Sequence, residues 1–257
     1  MKTNYHTHNQ RCKHAFGSVA DYAKEGYKAG FDILGMSDHC PFPDRLFGCR
    51  MDFCEFEDYI DDVRNLATQY RGKMDIKLGV EIEYIPDEEK FYNDLHERYN
   101  LDYLILGQHF YDNKKGGIGY IFDAKSTSEY VDYAKSIKDA LKTGYFAFVA
   151  HPDIMFIHDF EWDDNCEKAC DIIVDAALKY NTPLELNGNG VRRGWGVYKD
   201  MERYPYPHPK FFEMVSKARI PVMVNADCHQ PHELDDEAMR TARQLISDWN
   251  LVYKDVL

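Results

Sequence analysis

The stretch HTHNQRCKHA at residues 6–15 places His6, His8 and His14 within nine positions. His6 and His8 are two apart on an extended segment, so both side chains point to one side, the geometry of a chelating pair. The same residue types close a series of later apolar runs. FDILGMSDH ends in Asp38-His39, IKLGVEIEY carries Glu81 and Glu83, and LDYLILGQHF ends in Gln108-His109. YFAFVAHPD ends in His151-Pro152-Asp153, TPLELNGN carries Glu185 and Asn187, and PVMVNADCH ends in Asp227-Cys228-His229. Imidazoles and carboxylates together suit zinc, iron or manganese better than calcium. The set His6, His8, His14, His39, Glu81, His109, His151, Asp227 and His229 exceeds the four or five ligands one zinc takes. Two to three divalent ions fit it better, with Glu81 placed to bridge. Clustered divalent ions deprotonate water near neutral pH and hold phosphoryl oxygens during displacement, so phosphoester hydrolysis leads.

The elements that must bring these residues together are legible as alternating patterns. Strand-like apolar runs lie near 3–5, 32–37, 76–82, 103–107, 146–150, 183–187 and 221–226. Helical patterns lie near 18–29, 55–70, 87–98, 127–142, 163–180, 208–218 and 232–248. Ser18-Val-Ala-Asp21 reads as a capping box and Gly30 as a stop. Seven β/α alternations predict parallel strands with crossover helices, as an open doubly wound sheet or a closed barrel. No GxGxxG follows the first strand, and the reading chosen is a single distorted (β/α)7 barrel spanning 1–257. In such a fold the C-terminal strand ends share one face, where active sites sit. Residues scattered from 6 to 229 therefore converge. Amide or lactone hydrolysis on an amidohydrolase-type barrel stays open, because those sequences also begin with HxH.

Composition bounds the partners. The 257 residues carry a net charge of −13, which lowers the prospect of a nucleic-acid partner. No apolar run reaches membrane-span length, and MKTNYHTH has no apolar leader region, so the expectation is a cytoplasmic protein with a small-molecule substrate. The seven cysteines are irregularly spaced without a CxxC pair. Cys166 and Cys170, four apart on a helix, read as buried thiols rather than ligands.

HxH at 6–8, DH at 38–39, the glutamate of GVEIEY, GQH at 107–109, HPD at 151–153, ELN at 185–187 and DCH at 227–229 resemble, in order, the motifs of the PHP (polymerase and histidinol phosphatase) family. HTHNQRCKHA is especially similar to its stand-alone histidinol-phosphate phosphatases, and the lysine usual on strand four of amidohydrolases is not apparent. The resemblance implies a distorted (β/α)7 barrel with a trinuclear site of zinc, manganese or iron. It implies one metal on His6, His8, Glu81 and Asp227, a second on Glu81, His109 and His151, and a third on His14, His39 and His229. It further implies hydrolysis of L-histidinol phosphate, in histidine biosynthesis, by attack of a metal-bridging hydroxide. A general acid should help a poor alkoxide depart; Asp227, His232 and Asp153 are the candidates. Arg192, in ELNGNGVRRG, matches a family arginine and is expected on the phosphate, with Arg45 of PFPDRLFG as a second candidate. Glu83 could meet the substrate or orient a metal-bound histidine. The chain departs from the family pattern in GQH, where many members carry a GSxH-like segment, and in the glycine-rich DNKKGGIGYIFD that follows. The alternatives are a PHP phosphoesterase acting on a phosphotyrosine, nucleotide or sugar phosphate, and a non-catalytic metal-binding domain.

Overall fold

In the computed structural model, which describes residues 1–44, 47–113 and 117–257, strands and helices alternate as the sequence patterns predict. The strands are β1 (Thr3–Asn4), β2 (Ile33–Met36), β3 (Asp75–Ile82), β4 (Tyr103–Leu106), β5 (Phe110–Asn113), β6 (Gly117–Tyr120), β7 (Phe148–Val149), β8 (Leu184–Asn187), β9 (Gly196–Val197), β10 (Glu202–Arg203), β11 (Pro221–Asn225) and β12 (Val252–Tyr253). The helices are α1 (Val19–Lys28), α2 (Phe56–Gln69), α3 (Glu89–Glu97), α4 (Ser128–Leu141), α5 (Asp164–Tyr180), α6 (Gly188–Arg192), α7 (Pro209–Ala218) and α8 (Glu237–Asp248). Ser18 caps α1 through the capping box with Asp21, and each long helix turns an apolar face to the sheet.

The main sheet runs β1-β2-β3-β4-β7-β8-β11-β12, and its paired strands are parallel. It curls until its ends meet. Thr7 bridges Cys228 in parallel and the His8 amide donates to the Cys228 carbonyl at 3.0 Å, joining the first strand to the seventh at the C-terminal rim. At the opposite end β12 pairs with β11, and Thr3 donates to the Asp255 carbonyl. The barrel is thus closed at the mouth over seven strands and wedged apart below by an eighth. The sequence reading did not include that eighth strand, because two residues carry no periodicity.

Alternation along the strands fills the interior. Tyr5, Ile33, Tyr103, Ile105, Phe148 and Met223 form an inner cluster, separate from the larger layer between sheet and helices. The inner cluster is apolar, so the polar residues at the strand ends sit on a dry floor. Two hairpins stand outside this sheet, β5–β6 and β9–β10, each antiparallel and paired only with itself. No helix among the described residues is long and apolar enough to cross a membrane. Cys166 and Cys170 are buried free thiols on α5.

Candidate metal centre

The strand ends deliver their side chains to one spot. His6 Nε2 and His8 Nε2 lie 3.1 Å apart, so the pair converges as the i, i+2 spacing requires. Glu81, from the end of β3, is the hub. Its Oε1 lies 2.8 Å from His151 Nε2, 3.5 Å from His6 Nε2 and 3.7 Å from His109 Nε2. Its Oε2 lies 2.9 Å from His39 Nδ1 and 3.5 Å from His8 Nε2. Asp227 Oδ1 is 3.1 Å from His8 Nε2 and 3.6 Å from His6 Nε2. His229 stacks on His8 with ring centroids 4.4 Å apart. His14, which is exposed, has its ring centroid 4.8 Å from that of His229 and 5.2 Å from that of His39.

Backbone constraints put these groups in place. Gly107, two residues before His109, leaves the space into which the Glu81 carboxylate reaches. A Cβ there would lie 2.1 Å from Glu81 Oε1. His151 and Asp227 both have positive φ, 29° and 44°. Neither is glycine or asparagine, so the surrounding structure holds strained backbone at two would-be ligands.

A layer of acceptors fixes the imidazoles from behind. Glu185 Oε1 lies 2.9 Å from His6 Nδ1, Asp38 Oδ1 lies 3.3 Å from His8 Nδ1, and Glu83 Oε1 lies 2.8 Å from His109 Nδ1. Each leaves Nε2 free to face inward, the arrangement by which proteins orient metal-binding histidines. The Asn187 and Asn189 side-chain amides donate to Asp227 Oδ2. Glu185 also accepts from the His151 amide and from Asn225.

The donor set fits divalent cations. Ligand atoms of His6/His8/Glu81, of His39/Glu81/His109, of His6/His151/Asp227 and of His8/His39/His229 each cluster within 4.8 Å. Glu81 Oε2 and His39 Nδ1 are buried without a hydrogen-bond partner although only 2.9 Å apart, and His151 Nδ1 is also without one. Orphaned buried acceptors are costly unless something else satisfies them. The electrostatics agree. Burial opposes charge on His6, but Glu185, Asp227 and Glu81 outweigh it and hold that imidazole well above its usual range. Burial also opposes charge on His8, and the Asp227 and Asp38 carboxylates lift it to about 9. Burial and the neighbouring His8 hold His39 well below its usual value, and the same causes lower His229 to about 3. Against burial, the surrounding imidazoles keep Glu81 and Asp227 ionised. Anionic carboxylates faced by imidazoles are a site that exchanges protons for cations.

The centre forms the floor of a cavity of about 690 Å³. Its polar lining includes Arg50, Asn189, Arg193, Tyr206 and Glu233, and its apolar lining Phe110, Tyr120, Phe122 and Ile154.

The remaining sequence expectations divide. Glu83 does not reach the cavity. Its carboxylate is shared between His109 Nδ1 and the Arg50 guanidinium, the contact that its orienting reading calls for. Arg192 is turned away. It donates to Asp236 at 2.7 Å, to the Ala226 carbonyl at 3.2 Å and to the Glu233 carbonyl at 3.1 Å, leaving Arg193 to line the cavity. Neighbours on a helix differ by about 100° in direction, which is why one of the pair faces in and the other out. Asp153 is buried beneath the rim. It accepts from the His208 amide, and burial pushes its carboxyl up to about 7. His232 is exposed on a short 3₁₀ segment and does not line the cavity, whereas its neighbour Glu233 does. Arg45 lies outside the described residues. Arg50, Arg193 and Tyr206 line the cavity and were not among the expected site residues. The only available signal was the double arginine of GVRRG, which does not say which member turns inward.

This fold and this centre are those of a metal-dependent α/β barrel, and the comparisons with known proteins place it more narrowly. The PHP domain profile matches residues 4–189, and the chain belongs to the PHP family. Over 238 residues it is 27% identical to a Deinococcus radiodurans protein named "Probable histidinol-phosphatase", covering 89% of this chain and 86% of that one. It is 24% identical over 261 residues to the histidinol-phosphatase of Bacillus subtilis, covering 90% and 94% of the two chains. Its fold superposes with a TM-score of 0.71, at 16% identity, on the histidinol phosphate phosphatase of Lactococcus lactis, solved with zinc, L-histidinol and phosphate. That match covers 98% of this chain and 95% of the other.

Proposed function

We propose that the chain is a divalent-metal-dependent phosphomonoesterase that hydrolyses L-histidinol phosphate, working as one barrel domain. The observation that carries this is the convergence of seven imidazoles with Glu81 and Asp227 at the floor of a cavity that Arg193 also lines. Relatives named as histidinol phosphatases support the substrate. Zinc, L-histidinol and phosphate in the Lactococcus protein support it as well.

His6, His8, Glu81 and Asp227 would hold one ion, Glu81, His109 and His151 a second, and His14, His39 and His229 a third. Zinc, manganese or iron suits such ligands. Bound there, divalent ions supply a nucleophile from water at neutral pH and neutralise phosphoryl charge. The protein's own groups do the rest. Arg193, held at Nε by the Tyr206 hydroxyl at 3.2 Å, keeps its two Nη groups for a phosphate. With ions bound, Glu185, Asp38 and Glu83 would accept from Nδ1 of His6, His8 and His109 and leave each Nε2 as the ligand atom. Asp227, held ionised and accepting from the Asn187 and Asn189 amides, would take the proton released by the attacking water and relay it to the departing alkoxide. Asp153 and His232 do not share that position.

Elemental analysis combined with kcat/KM for histidinol phosphate and other phosphomonoesters tests the proposal. More than one divalent ion per chain and a preference for histidinol phosphate is the expected result. Less than one ion per active chain, or no hydrolysis of any phosphomonoester, would refute it. The latter leaves a metal-binding domain without catalysis.

A further inference from the structure

The segment least expected from the sequence is the hairpin β5–β6, and its geometry has a consequence for what the cavity accepts. In the antiparallel register Phe110 pairs with Tyr120 and Tyr111 with Gly119, so the two pairs occupy opposite faces. Tyr111 is buried, with its hydroxyl on Glu129 of α4. It fits only because residue 119 has no side chain, since a Cβ there would lie 2.4 Å from the Tyr111 ring. That lock sets the rotation of the hairpin, and Phe110 and Tyr120 are left facing the cavity.

The rings make a continuous series. Phe47 stacks on Phe110 with centroids 4.1 Å apart, Phe110 on Tyr120 at 4.8 Å, and Tyr120 meets Phe122 at 5.1 Å. Phe122 lies nearly parallel to His109, at 17° and 6.2 Å, so the aromatic surface runs up to the metal centre. Phe110, Tyr120 and Phe122 all line the 690 Å³ cavity, and Tyr120 is 39% exposed. A cavity of this size holds a small organic molecule and not merely an inorganic anion. The anion-binding groups are at the floor and on Arg193, so the remainder of a substrate meets this aromatic surface, in which Phe110 is packed between Phe47 and Tyr120.

We propose that Tyr120 and Phe122, with Phe110 packed behind Tyr120, form a stacking wall for the leaving group, so that the site selects phosphomonoesters carrying a planar ring over those with an aliphatic alcohol. This rests on the phosphomonoesterase reading and extends it. The wall recognises a flat π face rather than one hydrogen-bond pattern, so aryl and benzyl phosphates are accepted alongside the imidazole-bearing ester.

The test compares histidinol phosphate with O-phosphoethanolamine, which keeps the amino-alcohol ester and lacks the ring, and phenyl phosphate with glycerol 3-phosphate. Metal-loaded wild type, Tyr120→Ala, Tyr120→Leu and Phe122→Leu are assayed side by side. Calorimetric binding of benzylphosphonate against methylphosphonate supplies a readout that needs no turnover. The wild type is expected to favour the ring-bearing member of each pair. In Tyr120→Ala that ratio falls about tenfold, mainly through KM, with a parallel loss of the benzylphosphonate preference. Tyr120→Leu, which keeps bulk without a π face, falls by a similar factor. Equal ratios in wild type and variants, or no ring preference in either assay, overturn the wall. A benzylphosphonate preference without hydrolysis of any ester overturns the enzymatic reading while upholding the wall.

Discussion

Arg192 and Arg193 are adjacent but sit in different surroundings, one bonded away from the cavity and one lining it, which makes their separate truncation a sharp test. Arg192 donates to Asp236 and to two backbone carbonyls from a side chain only 18% exposed. Arg192→Ala removes these bonds and leaves Asp236 and the two carbonyls short of a donor. Hydrogen bonds to charged groups are worth roughly 1.5–3 kcal/mol each, and losing one member of a partly buried pair costs on the order of 3 kcal/mol. For a chain of this size that is a fall in Tm of about 10 °C. Its effect on KM should be small once the protein is folded at low temperature. Arg193→Ala loses one neutral partner, Tyr206, so Tm changes little. Removing its fork from the phosphate costs about 1.5–3 kcal/mol, a drop in kcat/KM of roughly 10- to 150-fold carried mostly by KM. Thermal unfolding and steady-state kinetics on the same preparations give both numbers. Native stability with raised KM in Arg192→Ala, together with wild-type kinetics in Arg193→Ala, would refute the assignment.

Four further outcomes are expected. Prolonged chelation abolishes hydrolysis and readdition of zinc or manganese restores it; retained activity in metal-free protein would count against the centre. Gly107→Ala drives a methyl group into Glu81, 2.1 Å from Oε1, and should cut bound metal to a small fraction, read by elemental analysis of folded protein. His14→Ala should weaken one ion position and lower turnover strongly, whereas unchanged metal content and rate would remove it from the ligand set. Burial holds His208 at about 4, below its unfolded value near 6.5, with Asp200 pulling it upward. The native state therefore binds fewer protons in that window. Its contribution is present above pH 6.5 and lost as pH falls toward 4, by about 2 kcal/mol at pH 5. Urea unfolding of His208→Gln at pH 5 and 7.5 should show a pH difference smaller by that amount, and an identical difference in both proteins would exclude the group.

The chain itself dictates a good deal. The periodic alternation of apolar runs and amphipathic helices predicts all seven barrel strands and seven helices, because burying one face of each is the dominant local constraint. Placing imidazoles and carboxylates at the strand ends is enough to forecast their meeting, since parallel strands share one terminal face. Tertiary structure alone decides how the polar groups divide their labour. Which of Arg192 and Arg193 faces the cavity depends on the start of α6, a five-residue helix with no pattern to read. Glu83 meets both His109 and Arg50, the latter 33 positions earlier, and so does not reach the cavity. The two-residue strand β12 and the orientation of β5–β6 follow from contacts with remote elements, Thr3 and Glu129 among them. Periodicity reports a residue's own face; it carries no information about which distant partner will use up its hydrogen bonds.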